Sequence, residues 1–102
     1  MRKAKILVKG IEAGVLEEQD GHHYTFTYHS TYHDSPVSLT MPLSQQVYEY
    51  ERFPPFFEGL LPERVMLEGL LRHYKIDKND FFSQLVQVGK DLVGAITVES
   101  IE

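Results

Sequence analysis

The spacing of apolar residues changes along this chain, and that change constrains its fold more than any other feature of the sequence. In the first forty residues apolar and polar side chains alternate, as in Tyr24–Tyr28 (YTFTY), and a period of two is typical of β-strands. After residue 62 the apolar residues recur every three to four positions, the spacing of one helix face. Alternation returns over residues 93–101. The pattern predicts an α+β fold in one domain, residues 1–102.

Five strands are expected, centred on residues 6–9, 13–18, 24–28, 37–41 and 93–101. Asp20-Gly21 is a hairpin-turn signal, because glycine adopts a positive φ without steric cost. We expect a small, mostly antiparallel curled sheet in which the last strand pairs with an early one and the helices cover one face.

Two principal helices are expected, over residues 62–74 and 79–88. The first begins near Pro62, and the second has Asp77 as its N-cap candidate and Gly89 as its C-terminal stop. The first carries an apolar stripe at helical spacing, formed by Leu67, Leu70, Leu71 and Tyr74. Residues 43–57, with tandem prolines at Pro54 and Pro55, predict irregular structure or a single helical turn.

Composition argues against several functional classes. Ten basic residues stand against fifteen acidic ones, giving a net charge of −5, whereas nonspecific nucleic-acid binding depends on Lys and Arg neutralising phosphates. The sequence has no cysteine, no signal-peptide pattern and no apolar stretch near the roughly 20 residues of a membrane span. We expect a soluble cytoplasmic protein that contacts neither membrane nor nucleic acid directly.

Metal binding and catalysis are also not indicated. Four of the five histidines, His22, His23, His29 and His33, fall within twelve residues, but neighbouring strand residues point to opposite faces and converge poorly. The sequence contains no Gly-rich phosphate loop, nucleophile elbow or metalloprotease helix. We expect no metal, no cofactor and no enzymatic activity. The helix pair has the outline of a helix-turn-helix, but residues 79–84 offer few donors for bases or phosphates.

One segment suggests a partner surface. Five aromatic residues fall within ten positions bracketed by prolines: Tyr48, Tyr50, Phe53, Phe56 and Phe57. Part of this set must be core, yet a partly exposed apolar patch of this kind often marks a protein interface.

The order of short motifs resembles that of the N-terminal domain of HipA-type kinases. Residues 56–63 (FFEGLLPE) are similar to the family's FFxxLLPE signature, and the others occur in the family's order: 14–16 (GVL), 26–28 (FTY), 38–43 (SLTMPL), 80–82 (DFF) and 89–95 (GKDLVGA). The likeness covers nearly the whole chain. It departs from the family at Arg64, where Gly is frequent, and at Leu67, where Arg is frequent. The chain also ends at Glu102, where a full-length HipA-type protein would continue into its kinase core.

The resemblance implies a free-standing, HipS-like antitoxin of a HipBST system, which would bind and inhibit a HipT-like Ser/Thr kinase. A HipB-like helix-turn-helix DNA-binding protein would complete the complex. One alternative is an isolated structural domain of a HipA-type kinase without a regulatory role, and another is a small DNA-binding regulator. We expect the kinase-contacting surface to centre on residues 53–66 and to use Phe53, Phe56, Phe57, Glu63, Arg64, Val65 and Met66.

Overall fold

The alternating sequence stretches build one antiparallel sheet in the computed structural model. The structure describes residues 2–20, 23–61, 64–89 and 95–101, and only the backbone of residues 64–67 and 70. The strands are β1 (Arg2–Val8), β2 (Ile11–Glu18), β3 (Tyr24–Tyr28), β4 (Val47–Tyr50) and β5 (Ile96–Ile101). They form a five-stranded sheet in the order β4-β3-β2-β1-β5. The final strand pairs with β1, as predicted, and the α+β class is confirmed.

The fourth strand differs from its prediction. Residues 37–41 were expected to be extended, but Ser38 and Met41 form an isolated bridge across a tight turn, and Leu39 at its tip is 94% exposed. The turn is held at both ends by Tyr28, whose hydroxyl donates to the carbonyl of Met41 and accepts from the amide of Val37. The real fourth strand lies within residues 43–57, because the backbone of β4 pairs with β3 there.

Three helices follow β4 in the described part of the chain. A single turn, one of the two outcomes expected for residues 43–57, occurs as α1 (Pro55–Glu58), and the two principal helices are α2 (Arg64–Tyr74) and α3 (Phe81–Val88). The N-cap prediction for α3 was wrong by three residues: Asp80 accepts from the amide of Ser83, whereas Asp77 caps the preceding turn by accepting from the amide of Asn79. Within the described ranges, no helix is both long and apolar enough to cross a lipid bilayer.

The core lies between one face of the sheet and the helices. From the sheet it takes residues such as Ile6, Leu16, Phe26 and Val98, all fully buried. From the helices it takes Phe57 of α1 together with Phe82 and Leu85 of α3.

Two glycines are required where backbones come close. A Cβ at Gly14 would lie 2.3 Å from the carbonyl oxygen of Thr27, and one at Gly89 would lie 2.2 Å from that of Val98. Gly89 ends α3 as predicted, but its φ of −55° is right-handed. Its packing against β5, rather than a left-handed conformation, therefore accounts for the glycine there.

Candidate functional site

The predicted kinase-contacting segment, residues 53–66, begins inside the core. Phe53 is only 4% exposed. Its ring lies edge-on to Tyr24, with centroids 5.3 Å apart, and 5.7 Å from the ring of Phe81. Phe53 therefore joins β3 to the start of α3.

The next aromatic pair spans the border between core and surface. Phe57 is fully buried, with its ring 5.9 Å from that of Phe26. Phe56 packs edge-on against Phe57 at 5.2 Å and stays partly exposed, as do Leu60 and Leu61. Of the three phenylalanines predicted to contact a partner, Phe56 presents surface, while the other two support it from beneath.

The remaining predicted residues lie at the start of α2. The backbone of Arg64, Val65 and Met66 forms the first turn of that helix, and the structure describes nothing of their side chains. Glu63 lies outside the described residues. The prediction that these four side chains contact a partner therefore stays a prediction.

Further along, α2 is open to solvent. Tyr74, expected to end a core stripe, is 48% exposed. A Cβ at Gly69 would meet nothing within 4 Å among the described atoms. Arg72 and His73 are exposed as well, so the second half of α2 offers a polar and aromatic surface that follows directly on residues 64–66.

A charge cluster joins the start of the chain to α3. Arg2 donates to both carboxylate oxygens of Glu18, at 2.8 and 2.7 Å, and to Ser83 Oγ at 2.7 Å, and it pairs with Asp80 at 2.9 Å. Its guanidinium carbon lies 4.9 Å from the ring centroid of Phe82. The hydrogen bonds to Glu18 are the main reason that the pKa of Arg2 is raised above its ordinary value. Because these charges are paired with one another, the cluster has a structural role.

The pKa of Asp80 reflects the same cluster. Burial alone would raise it, but hydrogen bonds from Arg2 and Ser83 and the charge of Arg2 together lower it below the ordinary range. The carboxylate therefore stays ionised while it caps α3.

His23, His29 and His33 lie in loops that adjoin the sheet. His23 lies 3.2 Å from a carboxylate oxygen of Glu49, and His29 pairs with Glu12. Among the described residues, no three His, Asp or Glu side chains come together in an arrangement that could hold a metal ion. His22 lies outside the described residues.

A groove of about 510 Å³ lies beside α3 and the ends of β1 and β5. Its walls include Arg2, Ile76, Phe82 and Ser83, and none of the described residues that line it carries a carboxylate, an imidazole or a thiol. The Ser83 hydroxyl donates to Asp80 and accepts from Arg2, so it is held in the structural cluster.

Sequence patterns did not reveal the part played by Gln84. It is fully buried in α3, and its side-chain amide donates to the carbonyls of Asp77 and Lys78, both at 3.1 Å. A glutamine within an apolar helical repeat carries no signal of this role. Gln84 is buried and Ser83 is engaged, so neither is free to contact DNA bases, whereas Gln87 of α3 is exposed.

Comparisons with known proteins agree on one family. The family model described as the HipA N-terminal domain matches residues 4–99. An uncharacterized protein of Haemophilus influenzae is 29% identical over 99 residues, which is 97% of this chain and 92% of that protein. A solved structure of the N-terminal domain of HipA toxin superposes with a TM-score of 0.80 at 29% identity, covering 100% of this chain and 94% of the other.

Proposed function

The chain belongs to the HipA N-terminal domain family, and on that basis we propose that it is a non-catalytic protein that binds and restrains a HipT-like Ser/Thr kinase. The observation that carries the proposal is a match over residues 4–99 by a family whose solved relative is named as one domain of a toxin. The Haemophilus influenzae relative supports a separate protein of this size, because the aligned region makes up 92% of it.

The physical argument concerns complementary surfaces. A domain that packs beside a kinase within one chain has a face shaped for that kinase. When such a domain is made as a separate protein, the fraction of kinase molecules that it binds depends on its concentration and affinity. Its abundance can therefore regulate the kinase. In a HipBST-like system the partner kinase would be cytoplasmic, and a HipB-like DNA-binding protein would be the third component.

We propose that the kinase-contacting surface joins Phe56 to the first turn of α2. Phe53 and Phe57 would set the position of this surface without contacting the kinase themselves, because both are buried in the core. Two features favour the location. Pro54 and Pro55 stiffen the approach to α1, which lowers the entropy cost of ordering an interface. The exposed half of α2 also continues from the same place.

The proposal is tested by expressing the chain with the short kinase encoded beside its gene. The variants are Arg64→Asp, Val65→Asp and Met66→Asp. An interface anchor costs about 2 kcal/mol or more when it is lost, so at least one variant should release the kinase while remaining folded. Val47→Asp is the matched control for Val65→Asp, because Val47 is 42% exposed on the edge strand β4 and lies outside residues 53–66.

The outcomes separate this proposal from its alternatives. If the three variants fold and still neutralise the kinase, the surface lies elsewhere. If the wild-type protein does not bind the kinase at all, the alternative of an isolated structural domain is favoured. Salt-dependent retention on DNA by the protein alone would favour a DNA-binding regulator.

A further inference from the structure

Positive charge is concentrated where α2 turns into α3. Residues 72–78 (RHYKIDK) contain three cationic side chains and one carboxylate, a net charge of +2 in a chain of net charge −5. We call this segment the basic corner. Arg72, Tyr74, Lys75 and Lys78 are all exposed there.

The cations of the basic corner have no partner within the described part of the chain. Arg2, Lys3 and Lys5 of β1 each pair with a glutamate of β2. No ion pair or side-chain hydrogen bond of Arg72, Lys75 or Lys78 is found among the described residues. The three cations are thus available to an external anionic group.

The backbone of the basic corner is held in one conformation. Lys75 has a φ of 57°, and the amide of Ile76 donates to the carbonyl of Leu71. The helix α2 therefore ends on a residue in the left-handed conformation, a common way for helices to terminate. The buried amide of Gln84 then holds the carbonyls of Asp77 and Lys78. A fixed backbone lowers the entropy lost on binding.

We propose that the basic corner binds an acidic polypeptide segment of the partner protein. This inference rests on the proposed function only for the identity of that partner. Arg72 can bind a carboxylate in a bidentate manner, Lys75 and Lys78 supply point charges, and Tyr74 adds an exposed aromatic ring of the kind enriched in interfaces. The basic corner lies at the end of α2, about 15 Å along the helix axis from the proposed kinase-contacting residues 64–66.

A protein segment is favoured over nucleic acid because of charge. Nucleic-acid binding gains from each phosphate neutralised, and three cations beside Asp77 allow few such contacts. The remainder of the chain is strongly negative and would repel an extended polyanion. A short acidic segment that contacts only the corner avoids that repulsion.

The test combines three substitutions, Arg72→Glu, Lys75→Glu and Lys78→Glu, in one variant, together with Lys75→Glu alone. The affinity for the kinase is measured at low and high salt. We expect the triple variant to bind roughly tenfold or more weakly at about 50 mM salt, with the difference shrinking at about 500 mM, since charge complementarity is screened. Lys9→Glu is the matched control for Lys75→Glu, because Lys9 is also exposed and has a φ of 52°.

A second measurement is independent of the kinase. A ten-residue polyglutamate peptide is titrated into the isotopically labelled protein, and amide shifts are followed by NMR. Shifts that are confined to residues 71–78 and disappear in the triple variant would support peptide binding at the basic corner. The absence of such shifts in the wild type would overturn the proposal. Inorganic phosphate and a short DNA duplex are titrated in parallel, and tighter binding of the duplex than of the peptide overturns the choice of a protein segment.

Failure of this inference is distinguishable from failure of the proposed function. If wild type binds the kinase and the triple variant binds equally well at both salt concentrations, the corner has no role and the function stands. If wild type does not bind the kinase, the proposed function fails. The peptide titration then decides by itself whether the basic corner binds an acidic polypeptide.

Discussion

Asp80 shows how one side chain can link local and long-range structure. It caps α3 and pairs with Arg2, which starts β1 at the other end of the sequence. The sequence pattern had predicted Asp77 as the N-cap of this helix. Both aspartates fit the statistics of helix starts. Asp80 is the one that pairs with Arg2, and only the tertiary structure brings these two residues together.

The lowered pKa of Asp80 predicts how stability depends on pH. A carboxylate whose pKa is lower in the folded state stabilises the protein above its unfolded pKa of about 3.9 and loses that contribution as pH falls through the folded value. Because Arg2 is 40% exposed, we expect only about 1 kcal/mol from the pair. Asp80→Asn, which can still cap α3, should be less stable by that amount at pH 7, and the difference from wild type should shrink as the pH falls through the lowered pKa of Asp80.

Urea denaturation across that pH range measures the effect. Glu58→Gln, at an exposed position in α1, is the control and should differ little from wild type at any pH. A difference between Asp80→Asn and wild type that does not change with pH would contradict the role given to the Arg2 pair.

Tyr28 offers a second test at the level of one atom. Its hydroxyl joins the amide of Val37 to the carbonyl of Met41, and all three residues are buried. Tyr28→Phe would leave both backbone groups without that partner, at a cost of about 1–3 kcal/mol. Tyr50→Phe is the control, because no hydrogen bond of the Tyr50 hydroxyl occurs in the described structure. Equal stabilities of the two variants in urea would mean that the turn at Leu39 does not depend on Tyr28.

At the scale of elements, close packing between neighbours determines which glycines matter. The backbone of β2 approaches β3 at Gly14, and α3 approaches β5 at Gly89. The sequence contains both glycines within motifs of the family, and it suggested a helix stop at Gly89, but it gave no sign that either position lacks room for a Cβ. The reason is the distance to a neighbouring carbonyl, which only the assembled sheet and helices define.

Two alanine substitutions should therefore change stability in opposite directions. Gly14→Ala forces a Cβ into a carbonyl oxygen and should cost about 1–3 kcal/mol or more. Gly69→Ala adds a Cβ to open space on α2 and should gain about 0.5–1 kcal/mol, because alanine loses less backbone entropy in a helix. Thermal denaturation resolves both, since 1 kcal/mol corresponds to roughly 4–8 °C in Tm at this size. A loss of stability in Gly69→Ala would show that α2 is packed at that position.

At the scale of the whole molecule, the groove lined by Arg2 and Ser83 bears on catalysis. None of its described lining residues carries a carboxylate that could hold a metal ion, and the sequence contains no phosphate-binding loop. We predict that the purified chain transfers no phosphate when incubated with labelled ATP and a protein substrate. Transfer that persists after contaminating kinases have been removed would contradict a non-catalytic function.

The sequence by itself determined the elements whose hydrophobic period is clear. Four of the five strands and the two principal helices follow from periods of two and 3.6, because those periods are set by local backbone geometry. For residues 43–57 the sequence left irregular structure and a single helical turn both open. The tertiary structure alone decided that residues 37–41 turn while β4 forms later. Alternation at Val37 and Met41 fits either a strand or a turn with buried ends, and contact with Tyr28 and β3 selects between them. The basic corner shows the same division. Its charges can be counted in the sequence, but its backbone conformation depends on the buried Gln84, which only the tertiary structure places there.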